Sequence, residues 1–346
     1  MKFHAIPINQ AQGMILGHNI AGENGRRVLR KGHALTAADI DTLHALQRET
    51  VYVAELDADD VDENSAAQRI AKAVLGTGQG ASVIRCSNAA TGRVNLFADL
   101  PGLVRVNVPH LNQLNTCVGV TLATVYSNTP VRAGKMIATL KIIPYALSQT
   151  VVETAEALGQ MDAPLLALTP FQPKRVGLIL SGSVSAQDRI VNSFKNALTL
   201  RLDQLAATIE QIDFVPLNYE SGERQLADTL RQQIATNFDL IILAGETAIM
   251  DRYDIAPRAV ERADGEVVCF GAPVDPGNLL MLGYHGDTPI LGAPGCSRSP
   301  KENIIDLVLP RLLVGDRLTH QDIIEMGHGG LLEDVPERPL PRSRVG

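Results

Sequence analysis

The sequence predicts an α/β protein: a doubly wound, mostly parallel sheet over residues 171–316, preceded by a smaller α+β region (1–75) and a β-rich region with a linker (76–170). Three observations predict it. After Pro173, continuous apolar runs at 176–180 and 239–243 alternate with segments of helical period, which is how a parallel sheet covered on both faces reads. Residues 76–150 instead carry short strand-like segments bounded by turn residues. Finally, the 346 residues are 45% hydrophobic and 20% charged, enough apolar side chain for sizeable cores in two or three domains.

In order along the chain, Thr36 is placed to cap a helix in which Ile40, Leu43, Leu46 and Gln47 follow at helical spacing, and 51–53 is the next strand. Asp57, Asp59, Asp60, Asp62 and Glu63 read as the acidic start of a helix continuing through Ile70 and Val74. They lack the spacing of a calcium loop. Residues 77–80 form a turn, and 82–84, 104–108 and 118–125 are strand-like. Arg93 and Lys141 read either as solvated positions or as the lining of an anionic cleft. Three prolines in 161–173 suggest an interdomain linker. Beyond it come a strand at 176–180, a helix presenting Val191, Phe194, Leu198, Leu202 and Leu205, a strand at 212–217, and a helix marked by Leu226, Leu230 and Ile234. Strands at 239–243, 267–271 and 289–291 follow, with a helix starting near Pro257. In the last helix Ser299 is placed at the N-cap, Pro300 at the first helical position and Glu302 at the third. Residues 317–346, with Pro336, Pro339 and Pro341, read as an extended tail.

Composition excludes several functions. With 31 Lys and Arg against 38 Asp and Glu, the net charge of −7 builds no broad basic surface, so nucleic acid and anionic membrane are not expected partners. No apolar run approaches the roughly 20 residues that span a bilayer. Residues 1–8 do not read as a secretory signal. Cys86, Cys117, Cys269 and Cys296 are far apart and read as reduced thiols of a cytoplasmic protein. Without Trp and with 4% aromatics, no stacking platform for single strands is expected.

In a wound sheet, ligands bind beyond the carboxyl ends of the strands. Three small-residue bends fall at such ends: Ser181-Gly182-Ser183, then Ala244-Gly245-Glu246-Thr247, then Gly292 to Ser297 through Pro294, Gly295 and Cys296. Small residues let backbone N–H groups approach an anion such as phosphate. A fourth turn, 273–278, carries Asp275. Asp254 reads either as a helix cap or as a ligand for a divalent cation such as Mg²⁺. Cys296 reads either as packing or as a thiolate favoured by a helix start. Arg298 and Lys301 flank the same bend and can supply cations, and Ser297 can donate to a ligand. None of the bends matches a dinucleotide or Walker loop.

The order and spacing of these bends carry a resemblance. The strand ending in Ala244-Gly245-Glu246-Thr247, then Asp254, Pro276-Gly277, and Ala293-Pro294-Gly295 ahead of a Ser-Pro-Lys-Glu segment resemble the molybdopterin-binding domain shared by molybdopterin molybdenumtransferases and adenylyltransferases. The resemblance covers 174–316, with a weaker one over 26–54, and the whole chain looks closest to bacterial molybdopterin-binding proteins, some of which are fused to a molybdenum-cofactor nucleotidyltransferase. It implies a homo-oligomeric cytoplasmic protein of molybdenum-cofactor biosynthesis. The ligand it implies is molybdopterin, metallated or as a nucleotide, with Asp254 expected as catalytic and Mg²⁺-binding residue. A cofactor nucleotidyltransferase or a molybdoenzyme is the implied protein partner. Glu246 and Ala248 stand where the family has glycines, and Asp275 and Asn278 where it has lysines. Each lost cationic contact removes roughly 1.5–3 kcal/mol, which weighs against molybdate insertion and leaves pterin binding. A non-catalytic carrier or chaperone, and a nucleotide pyrophosphate hydrolase on the same fold, are the alternatives.

Overall fold

The computed structural model describes residues 1–332 except 23, 77, 79, 161–163, 218 and 248. The turn expected at 77–80 lies partly outside the described residues, as do Ala248 and the Pro-rich stretch from 333 onward. The chain is a mixed α/β protein of two compact units, Met1–Thr169 and Pro170–Gly346. Among the described residues no helix is long and apolar enough to cross a membrane.

In the first unit, Thr50–Glu55 is the centre of a three-stranded antiparallel sheet, between Lys2–Pro7 and Ile15–Leu16. The helix Ala37–Ala45 starts at Thr36, whose amide donates to the Asp39 carboxylate (2.8 Å) while its side chain accepts from the Asp39 amide, so the expected cap is present as a capping box. The acidic stretch is a helix start only at Asp62 and Glu63, since Asp60–Asp62 is a short strand paired with Ala146–Ser148. Asp62 accepts from the amides of Asn64 and Ser65 and caps Glu63–Leu75, and Asp57 and Asp60 hold the terminal ammonium at 2.9 and 2.7 Å. That helix and Gln149–Gly159 bury Ile70, Val74, Val152 and Ala155 against Val94, Leu96, Leu140 and Ile142 of a four-stranded antiparallel sheet.

Three expectations for this unit change. The β-rich region also holds the helices Val108–Leu114, capped by Asn107, and Gln149–Gly159. The expected linker contains the strand Leu166–Pro170, paired with Gly102–Val106, because Leu165, Leu166 and Leu168 are buried and the prolines only bracket them. Arg93 and Lys141 are cross-strand partners, not the lining of a cleft. The Lys141 Nζ donates to the Thr91 carbonyl and lies 3.4 Å from the Glu63 carboxylate, and Arg93 donates to Thr139.

The second unit is built on six strands: β1 (Lys174–Gly182), β2 (Ala207–Pro216), β3 (Leu240–Gly245), β4 (Glu266–Phe270), β5 (Met281–His285) and β6 (Thr288–Gly292). Their order is β2-β1-β3-β6-β5-β4. Pairings among β2, β1, β3 and β6 are parallel, and β5 is antiparallel to both neighbours. Sequence reading missed β5, whose Gly283 and Tyr284 break an otherwise apolar run. The helices are α1 (Gln187–Asp203), α2 (Tyr219–Ala235), α3 (Ile255–Arg262), α4 (Ile304–Leu313) and α5 (His320–Glu325). Leu226 and Leu230 of α2 and Val260 of α3 share a core with Ile179, Ile241, Leu243 and Ile290. The alternate residues Leu178, Leu180, Ile242 and Leu291 are fully buried as well, so the strands alternate between two covered faces. Two further corrections concern the end of the chain. The cap of α4 is Asn303, with Asp306 completing the box, and not Ser299. The expected tail contains α5, boxed by Thr319 and Asp322, with Leu318 and Ile323 buried.

Candidate functional site

Parallel register sets the bends side by side. Ser181 pairs with Gly245, and Leu243 with Gly292, so the ends of β1, β3 and β6 share one rim. The end of β4 joins them, since Phe270 pairs with Met281 and Met281 with Gly292. Strand ends approach closely here: a methyl group on Gly245 would lie 2.6 Å from the Ser181 hydroxyl and 2.9 Å from its carbonyl oxygen.

The rim offers two places. The first is a cleft of about 40 Å³ lined by Ser181, Leu217, Gly245, Thr247, Ala256 and Ala293. On the scale where one water needs roughly 10–15 Å³, it takes a group the size of a few waters, and a fused ring would extend across the rim. Asp254 also lines it, but both carboxylate oxygens are engaged: Oδ1 accepts from the Ile255 amide at 2.7 Å and Oδ2 from the Met250 amide at 3.0 Å. Asp254 is the N-cap of α3. Among the described residues no group of three or more His, Cys, Asp or Glu side chains converges as a metal centre. The cap is one of the two readings the sequence left open for Asp254.

The second place is the bend after β1, which Glu246 fills. Its Oε2 accepts from both the amide and the hydroxyl of Ser183, each at 2.8 Å, and Arg189 reaches Oε1 at 3.3 Å. The Ser183 hydrogen bonds, with the charges of Arg189 and Arg298, hold its carboxyl below the usual glutamate range. Gly182 lies beneath it, where a side chain would meet the Glu246 Cβ at 2.8 Å. The expectation of an open anion seat at Ser181-Gly182-Ser183 is thus corrected: an internal carboxylate occupies it.

The third bend is organised from below. Pro294 precedes a short 3₁₀ turn, Gly295–Arg298. Arg201 of α1, 8% exposed, donates to the Ser299 and Lys301 carbonyls at 2.9 and 2.8 Å and pairs with Asp306 at 2.9 Å. Ser297 is fully buried and its hydroxyl has no partner among the described residues. Cys296 does not sit at an α-helix start, because α4 begins at Ile304. Burial pushes its thiol up, in line with the packing reading of Cys296 and not with the thiolate one. Arg298 curls onto its own turn, donating to the Gly295 carbonyl and lying 5.3 Å over the Phe194 ring. In the fourth turn the Asp275 amide donates to Gly330 and its carbonyl accepts from Leu332, so backbone pairing stitches this turn to 330–332. Arg189 and Arg201 were missed in the sequence, where nothing sets them apart from other helical arginines.

A larger cavity, about 370 Å³, opens at the opposite edge of the sheet beside Lys174, Asp239, Tyr284 and Arg317. Its cations are committed: Lys174 pairs with Asp239 at 2.8 Å, and Arg317 stacks 4.2 Å over Tyr284 while donating to the Gly286 carbonyl. It also lacks the converging small-residue bends, so the carboxyl rim is the candidate site despite its smaller volume.

Residues 5–55 match a family described as a domain of unknown function (DUF8806). No curated protein matches the chain significantly. Solved structures similar to it include a molybdenum cofactor biosynthesis protein from Pyrococcus furiosus, at 11% identity and TM-score 0.24, covering 94% of this chain and 65% of that one. This chain therefore spans less than two thirds of that protein. The molybdopterin biosynthesis enzyme MoaB from Thermus thermophilus matches at 19% identity and TM-score 0.30, over 41% of this chain and 98% of that one. The molybdopterin biosynthesis moeA protein from Pyrococcus horikoshii matches at 11% identity and TM-score 0.27, over 94% and 75%. At these scores the likeness carries no argument about fold or function.

Proposed function

We propose that the second unit binds molybdopterin or its nucleotide, as a protein of molybdenum-cofactor biosynthesis, along the carboxyl rim of its sheet. The observation that carries this reading is the register that brings the ends of β1, β3 and β6 together around the cleft at Gly245, Thr247 and Ala293. It joins the sequence resemblance of the same bends. In this reading the ligand's phosphate enters the cleft, Thr247 and the backbone around Gly245 contact it, and the pterin lies across the rim toward Gly295. Burial on both faces of the central strands supports the doubly wound arrangement that the reading assumes.

A non-catalytic carrier is the favoured form of this function. The observations behind it are that Asp254 spends one oxygen on capping α3 and the other on the Met250 amide of the preceding loop, and that Glu246 fills a bend where a transferase would seat an anion. Transfer chemistry depends on charges aimed at the reacting group, and these are turned inward. A nucleotide-linked group transfer remains the enzyme reading, and added molybdate or ATP with molybdopterin should give turnover only under it.

The test is mass spectrometry of ligand co-purified with the protein and with Ala256→Leu, which fills the cleft from the first turn of α3. We expect a pterin on the native chain and its loss in the variant with little change in melting temperature. If neither co-purified nor added molybdopterin binds the native chain, the reading is wrong.

A further inference from the structure

We propose that Glu246 is a built-in competitor for a phosphate-class dianion: its carboxylate occupies an anion seat made by Ser183 and Arg189, and an incoming dianion binds the first bend only by displacing it. The inference rests on the reading of the carboxyl rim as the ligand site and adds what decides access to it.

The seat is defined by what Glu246 receives. One oxygen takes two donors from a single residue, the Ser183 N–H and O–H, each at 2.8 Å. The other faces the Arg189 guanidinium at 3.3 Å. The two converging donors and the Arg189 guanidinium, with its several N–H groups, suit a tetrahedral dianion with several acceptor oxygens.

The occupant can leave without unfolding anything. The backbone of Glu246 is anchored to the sheet, its amide donating to the Ser181 carbonyl at 2.8 Å. The side chain is free of the core: it is 31% exposed and its partner Arg189 is 69% exposed. Exposed ion pairs of this kind contribute little to stability, so the contact is not needed to hold the fold. Rotation about the side-chain torsions alone uncovers Ser183. Gly182 keeps the floor of the seat bare, since any side chain there would collide with the Glu246 Cβ at 2.8 Å or the Ile190 Cδ1 at 2.6 Å. A tethered carboxylate competes at high effective concentration, so the seat discriminates against weakly charged anions and admits only groups that bring more charge or further contacts along the rim.

The test uses inorganic phosphate, followed by phosphorus NMR or calorimetry at fixed ionic strength, on the full chain. Glu246→Ala should bind phosphate roughly tenfold more tightly than the native protein. Adding Arg189→Ala in that background should return the affinity to the native level. Glu246→Gln, which keeps the side-chain volume, should give a smaller gain and serves where the alanine variant folds poorly. Equal phosphate affinity in the native, alanine and glutamine proteins would overturn the proposal. So would a gain that survives Arg189→Ala. Measuring co-purified pterin in the same variants separates the two readings. A phosphate gain without pterin in any variant removes the pterin assignment alone, whereas pterin retained with no phosphate gain removes the competitor alone.

Discussion

Arg201 shows how much of the third bend on the carboxyl rim is set by one buried side chain. Its guanidinium serves Asp306 and the carbonyls of Ser299 and Lys301 from a position 8% exposed. Arg201→Met should cost about 3 kcal/mol in urea unfolding, because it leaves several acceptors without their donor. A cost below about 1 kcal/mol would show that the loop holds itself. Cys296 lies on the same segment, and burial raises its thiol rather than lowering it. It should therefore react with iodoacetamide at neutral pH more slowly than a free thiol. Fast, selective alkylation of Cys296 would contradict its packing. At this scale the sequence showed which residue types stand at the bends and hid what each does. Asp254 and Glu246 are both carboxylates on the rim, yet one caps α3 and the other accepts from Ser183 at the first bend.

Elements were more legible, because period and capping are local. Thr36 and, within the acidic stretch, Asp62 with Glu63 stand at helix starts as read, whereas Asp60–Asp62 also forms a short strand that the sequence did not show. The start of α4 lies later than read, since Ser299-Pro300 and Asn303 both offer a cap and packing chose the later one. Asn303→Ala should cost about 1 kcal/mol of stability by thermal or chemical unfolding, and Ser299→Ala much less. The reverse ranking would restore the earlier start. The strand Leu166–Pro170 and helix Val108–Leu114 were obscured by prolines, which sit at their ends and leave the interior hydrogen bonds intact.

Over the whole molecule, each unit carries a carboxylate held low by a capping box. The Thr36 hydroxyl and amide, aided by His33, lower Asp39 to about 2. For Asp322, burial acts upward, but hydrogen bonds from Thr319 and Arg311 outweigh it and hold the group at about 2. Depressed carboxylates stabilise the fold above their unfolded pKa, and that stabilisation is lost as pH falls through the folded value. Stability of both units should therefore hold above pH ~4 and decline between ~4 and ~2. Circular dichroism against pH checks this, and Asp39→Asn and Asp322→Asn should each flatten part of the decline. A steep loss well above pH 5 would point to other groups.

Side-chain chemistry at intervals of two and 3.6 residues was enough to read an alternating strand and helix order and the buried residues of the central strands, since burial along an element depends on its own periodicity. It was also enough to place small residues at strand ends. Contacts between distant positions were settled only in the folded chain. Ser183 meets Glu246 across 63 positions and Arg201 meets Asp306 across 105. Whether a carboxylate caps, blocks or binds depends on which donors come within about 3 Å of it, and that distance is set by strand register and helix packing.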